Sequence, residues 1–127
     1  MKLIKIEGGR INVYEPQILP VKSGAELHTG QALALDGGEL VACASGTKPT
    51  FVALSDSFTY VDGVKVPRAE IPVGRVESNQ IYEVAPVADV TVGAKYTLSD
   101  DGTGISSTTG SVAEVVYADS TVAHVRF

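Results

Sequence analysis

Residues Leu27–Val41 read L-H-T-G-Q-A-L-A-L-D-G-G-E-L-V. An apolar residue and a glycine lead into a strand of alternating Ala and Leu. An Asp-Gly-Gly turn follows, and Glu39-Leu40-Val41 returns. Asp-Gly or Gly-Gly between alternating runs is the strongest short-range hairpin signal, because these residues tolerate the positive φ of turns that match strand twist. The phrase nearly recurs at Val90–Ile105, V-T-V-G-A-K-Y-T-L-S-D-D-G-T-G-I. An offset of 63 residues pairs Leu27 with Val90, Gly30 with Gly93, Leu33 with Tyr96 and Leu35 with Leu98. It also sets Val52 and Leu54 opposite Val115 and Tyr117. Identity is slight, so a structural duplication and shared turn chemistry both account for it.

Outward from that hairpin, period-2 segments fall at Leu3–Ile6, Ile11–Tyr14, Gln31–Leu35, Glu39–Cys43, Thr50–Leu54, Arg68–Ile71 and Gly74–Glu77. More follow at Ile81–Ala85, Lys95–Leu98, Ala113–Tyr117 and Thr121–Phe127. Thirteen glycines and six prolines interrupt the chain at short intervals. No stretch keeps the i, i+3, i+4 apolar spacing of a helix. The expectation is an all-β chain with little or no helix: a barrel, sandwich or folded ribbon of hairpins. In the last strand Ala123, Val125 and Phe127 are expected to face the core, with His124 and Arg126 outward.

The 127 residues suit one domain, residues 1–127, long enough to bury about two-thirds of the unfolded surface. Apolar residues are 44% and charged residues 20%, the balance of a globular chain. A net charge of −5 and scattered Lys and Arg disfavour direct nucleic-acid binding, which needs clustered cations to release counterions. The single cysteine, Cys43, has no intrachain partner for a disulfide. The start, M-K-L-I-K-I-E, carries charge inside its apolar stretch, and no run approaches the ~18 residues of a membrane span. Synthesis in the cytoplasm and no membrane partner are expected.

Chemistry-bearing residues form no catalytic, cofactor or metal constellation. His28 and His124 are far apart in sequence and lack the cysteine or carboxylate help that zinc needs. Cys43 ends the apolar strand L-V-A-C-A, where a small buried residue is expected rather than a nucleophile. Ser99–Gly104, S-D-D-G-T-G, lacks the alternating oxygens and terminal Glu of an EF-hand loop, and a tight turn explains it. The run Gly102–Gly110, G-T-G-I-S-S-T-T-G, matches no phosphate-loop signature and reads as a connector. There is no G-x-S-x-G elbow for a serine nucleophile. No enzyme is expected.

Two segments suit binding better. Residues 1–10 hold a short apolar strand before Gly8-Gly9, a candidate N-terminal arm able to add to another sheet, with pairing of Leu3–Ile6 inside its own domain as the equal alternative. Residues 55–72, S-D-S-F-T-Y-V-D-G-V-K-V-P-R-A-E-I-P, form a long loop or hairpin insertion with two aromatics. Insertions of this kind carry function more often than scaffold strands do.

The chain resembles the head decoration (capsid cement) proteins of tailed bacteriophages. The residues that carry the likeness are V-K-S-G-A-E-L-H-T-G-Q-A-L-A-L-D-G-G-E-L-V-A at Val21–Ala42, K-P-T-F-V-A-L at Lys48–Leu54, I-P-V-G-R-V at Ile71–Val76, and V-T-V-G-A-K-Y-T-L. The chain departs from that pattern at Phe51, where glycine is frequent, and in the 55–72 insertion. The resemblance implies a compact β-clip or β-tulip barrel that trimerises on a virion head and bridges major capsid protein subunits. No active-site residues come with it. A small β-barrel binding carbohydrate or peptide through residues 55–72 is the alternative. The β-clip fold also hosts dUTP pyrophosphatases, whose phosphate segment Gly102–Gly110 echoes faintly, but their other motifs are missing here.

Overall fold

In a computed structural model the described residues are 1–7 and 16–127. The expected strand at Ile11–Tyr14 and the Gly8-Gly9 hinge lie outside them. Thirteen strands follow one another: β1 (Lys2–Ile6), β2 (Gln17–Pro20), β3 (Ala32–Asp36), β4 (Glu39–Ala42), β5 (Phe51–Ala53), β6 (Phe58–Val61) and β7 (Val64–Pro67), then β8 (Glu70–Arg75), β9 (Gln80–Val84), β10 (Lys95–Leu98), β11 (Ile105–Thr109), β12 (Ala113–Ala118) and β13 (Ala123–Arg126). No helix occurs among the described residues, and the fold is all-β as the turn density led us to expect.

The strands build three antiparallel sheets. The largest runs β1-β9-β13-β12-β10-β11, the second runs β2-β8-β5-β3-β4, and among the described residues β6 pairs with β7 alone. The Leu27–Val41 phrase becomes the β3–β4 hairpin, with Asp36 opposite Glu39 across Gly37-Gly38. Both glycines have positive φ, +58° and +85°, the two-residue turn whose twist matches its strands.

Two apolar cores share one wall. On β3 and β5 the alternation sends Ala32 and Val52 to one side and Leu33, Phe51 and Ala53 to the other, and all five are buried. Ala32 and Val52 join Tyr82, Val84, Leu98, Val115 and Val125 of the six-stranded sheet. Leu33, Phe51 and Ala53 pack with Leu27, Leu40, Ile71 and Val73 inside the curl of the five-stranded sheet. Main-chain bonds also tie the layers, from Ala32 N–H to the Gly102 carbonyl (2.7 Å) and from Leu98 N–H to the Ser45 carbonyl (2.8 Å). As the alternation predicts, Ala123, Val125 and Phe127 are buried, and His124 and Arg126 sit half-exposed.

The barrel that the resemblance implies does not close among the described residues. The edges β2 and β4 meet at a single parallel bridge, Val21 with Leu40, and Lys22 N–H donates to the Leu40 carbonyl. The chain then turns away through Lys22–Ala25, with Gly24 at φ +82°, so no ladder develops. Pro20, without an N–H, cannot extend it.

The half-chain repeat has a structural counterpart. β3 is flanked by β4 and β5, and β10, 63 residues on, is flanked by β11 and β12. Gln31 N–H bonds the His28 carbonyl, and Ala94 N–H bonds that of Thr91. Gly30 N–H reaches the Ala53 carbonyl as Gly93 N–H reaches that of Val115, and both glycines have φ of +80° or more. Ala53 N–H returns to the Gln31 carbonyl as Val115 N–H returns to that of Ala94. A three-stranded unit is thus used twice, once in each large sheet.

Three sequence readings change. Arg68–Ile71 and Gly74–Glu77 lie on or beside one strand, β8, because the backbone of Pro72 faces Leu54, just past the end of β5, where the ladder no longer calls for an N–H donor. β2 itself was hidden between Pro16 and Pro20. The Gly102–Gly110 connector contains β11, a polar edge strand recognisable only from its pairing with β10.

At Gly30 a Cβ would lie 2.7 Å from the Met1 backbone nitrogen, in a left-handed conformation. Gly24 is equally left-handed but faces open space. Gly30→Ala is therefore expected to cost about 2–4 kcal/mol and Gly24→Ala about 1 kcal/mol, read by denaturant unfolding. Equal losses at the two sites would contradict the close approach.

Candidate functional site

Within residues 55–72 the chain forms a hairpin arm. β6 and β7 pair Phe58 with Pro67, Thr59 with Val66, Tyr60 with Lys65 and Val61 with Val64. The turn is Asp62-Gly63, with φ of +50° and +78°, the same turn class as Gly37-Gly38. Asp tolerates the left-handed region better than most residues.

The root of the arm is fixed by Ser57, which is buried. Its Oγ accepts from Leu27 N–H at 2.7 Å and donates to the Ala25 carbonyl at 3.2 Å. Its backbone bonds the Leu27 carbonyl and accepts from Arg68 N–H, both at 2.8 Å. Asp56 Oδ1 accepts from the Thr29 N–H and hydroxyl, and these bonds hold its carboxyl below the usual carboxylate range. Arg68 donates to Ser55 Oγ at 2.9 Å.

Alternation gives the arm two faces. Phe58, Tyr60, Lys65 and Pro67 share one; the Phe58 ring meets His28 edge-on at 5.4 Å and Tyr60 at 6.1 Å. The Lys65 ammonium lies 4.2 Å from the centre of the Phe58 ring and pairs with Glu26. Thr59, Val61, Val64 and Val66 form the opposite face, and all are exposed. Tyr60 is 64% exposed and Val64 63%. A two-stranded hairpin has no core of its own, so only its root and ring contacts order it.

Beside the root lies an open groove of about 650 Å³. Pro20, Val21, Ala25, Phe58, Pro67 and Ala69 give it apolar walls, and Lys22, Lys65 and Arg68 also line it, as do Glu26 and Glu39. Lys22 pairs with Asp36 and Lys65 with Glu26. The hydrogen bond between Lys22 and Asp36, and then the partner's charge, holds the Lys22 ammonium above its ordinary pKa and the Asp36 carboxyl below its own.

A second apolar feature lies on the five-stranded sheet, on the face that turns toward the six-stranded sheet. Ile18 on β2 stands opposite Pro72 on β8, and Leu54, just past β5, donates its N–H to the Pro72 carbonyl. The row Ile18–Pro72–Leu54 continues the face that carries Val52. Ile18 is 65% exposed and Leu54 is exposed too.

Residues with chemical potential elsewhere are held in structural roles. Cys43 is buried, its thiol donates to the Thr47 carbonyl at 3.2 Å, and burial pushes its pKa up. His124 lies beside Tyr117 and 3.7 Å from Glu83, on β13, while His28 sits at the arm root. In the S-D-D-G-T-G turn Asp101 Oδ1 accepts from Ser99 Oγ, Thr103 N–H and Thr103 Oγ, and these bonds lower its pKa. Among the described residues no three His, Cys, Asp or Glu side chains group as metal ligands, and no helix is long and apolar enough to cross a membrane.

Comparison with protein-family models, curated proteins and solved structures finds no match for this chain. The arm was half-legible: in a hairpin centred on Asp62-Gly63, register alone puts Val61, Val64 and Val66 on one face. The groove was not, because its walls come from four separated stretches of chain.

Ser57→Ala leaves the buried Leu27 N–H without its acceptor, and a loss of about 1–3 kcal/mol is expected. Thr59→Ala, on the exposed face, is expected to change stability by less than about 0.5 kcal/mol. Parallel thermal unfolding checks both.

Proposed function

We propose that this chain is a non-enzymatic structural module that works by contact area. Its role is that of a decoration protein on a phage or prophage head, acting as a homotrimer against the major capsid protein. The observation that carries this reading is that apolar side chains are held in solvent at two separate places, each on a hydrogen-bonded β frame. One is the arm with Tyr60, Val61, Val64 and Val66; the other is the row in which exposed Ile18 and Leu54 flank half-buried Pro72. Single exposed apolar residues are ordinary, but grouped ones mark interaction surfaces. A decoration protein makes two kinds of contact, to its own copies and to the shell. We assign the arm to neighbouring copies and the row to the shell.

The resemblance of Val21–Ala42 and Lys48–Leu54 to capsid cement proteins supports the same reading. Apolar burial contributes about 25 cal/mol per Å² before association costs, and repetition over many copies multiplies a modest contact. Under this reading the chain is made in the cytoplasm and ends on the virion head surface. The groove favours a second reading, a module binding carbohydrate or peptide at the arm root, since its volume lies in the range of ligand sites.

The row is tested by adding purified chain to heads stripped of it and measuring the bound fraction by sedimentation. Wild type is expected to saturate the heads, and Ile18→Asp to bind at least tenfold more weakly with unchanged folding. Unaltered binding of Ile18→Asp contradicts the assignment of the row. Absence of wild-type binding rejects decoration and leaves the ligand reading.

A further inference from the structure

We infer that the groove at the root of one arm is the seat for the tip of another copy's arm, so that copies join head to tail. This deepens the assignment of the arm to neighbouring copies, and it stands or falls apart from what the assembly covers.

The tip reads Val61-Asp62-Gly63-Val64, with both valines exposed and on one face. The groove offers the complement, with apolar walls from Val21, Ala25, Pro67 and Ala69 and a cation at its side. That cation is Arg68. Among the described residues no carboxylate lies within ion-pair distance of it, and its one side-chain bond is to the neutral Ser55 hydroxyl. Lys22 and Lys65 already have carboxylate partners. Asp62 at the apex has no ion pair among the described residues either. The groove's lining sets the cations Lys22, Lys65 and Arg68 against the carboxylates Glu26 and Glu39, leaving a net positive charge opposite in sign to the tip's.

An arm cannot fill its own groove. Phe58, Lys65 and Pro67 line it from the root, while the tip stands about four strand residues away, roughly 13 Å. A paired hairpin fixed by Ser57 does not fold back on its root. Each copy therefore presents one free tip and one free seat, a heterologous contact that closes into a ring when the rotation between copies permits.

Sedimentation velocity of the full chain between about 1 and 100 µM tests this. Wild type is expected to form one defined assembly larger than a monomer. A tip variant, Val61→Ser with Val64→Ser, and a seat variant, Ala69→Glu, are each expected to associate at least tenfold more weakly. All three residues are exposed, so both cores stay intact, and circular dichroism and melting verify the fold. Mixed together, the two variants are expected to form a dimer, because the mixture still holds one intact tip and one intact seat. A monomeric wild type, either variant assembling like wild type, or a mixture that stays monomeric overturns the inference. The stripped-head binding assay decides the decoration reading separately.

Discussion

The wall formed by β3 and β5 is the constraint from which the rest of the fold follows. Ala32 and Leu33 at the start of β3 and all of β5 are buried on both faces, so each of these residues has to satisfy one of two cores. Small or branched residues, Ala32 and Val52, face the six-stranded sheet; larger ones, Leu33 and Phe51, fill the curl of the other. Sheets stack about 10 Å apart, and that spacing leaves little freedom in side-chain size. Truncating Leu33 or Phe51 removes contacts that no neighbour replaces. The glycine at position 30, just ahead of β3, lets the Met1 backbone come close enough for its ammonium to bond the Gly30 and Thr103 carbonyls. Burial lowers the pKa of that ammonium.

Because the wall is shared, the same three-stranded unit can serve twice. β4 and β5 flank β3 in one layer, as β11 and β12 flank β10 in the other. The matched turn bonds at Gly30 and Gly93 explain why the two sequence phrases look alike where they do. The turn chemistry is the same at the two glycines, while the strand residues between them differ to suit different cores.

What could be read from the chain follows from how local each signal is. Glycine turns and two-residue periodicity are local, so the β3–β4 hairpin, the β12–β13 pair and the inward set Ala123, Val125 and Phe127 were legible. β2 and β11 were not, since Ile18 is hemmed by prolines and Ile105–Thr109 is too polar to alternate. Their pairing partners, β8 and β10, decide them. Residues 55–72 were legible as an insertion, and Asp62-Gly63 could have fixed its register. The groove and the Ile18–Pro72–Leu54 row are products of tertiary packing, since they join residues many tens of positions apart. The barrel closure implied by the resemblance is prevented locally, at Pro20 and the turn through Gly24.

Apolar side chains placed outward on a rigid frame cost solubility unless something covers them, which is why the proposed function is one of contact. Cys43, Asp101 and Asp56 are engaged in turn and core contacts. The most direct measurement is quantitative mass spectrometry of heads purified from the source culture after prophage induction. The decoration reading predicts this chain on the heads at a copy number comparable to the major capsid protein. Intact heads with the chain left in the soluble fraction would contradict it.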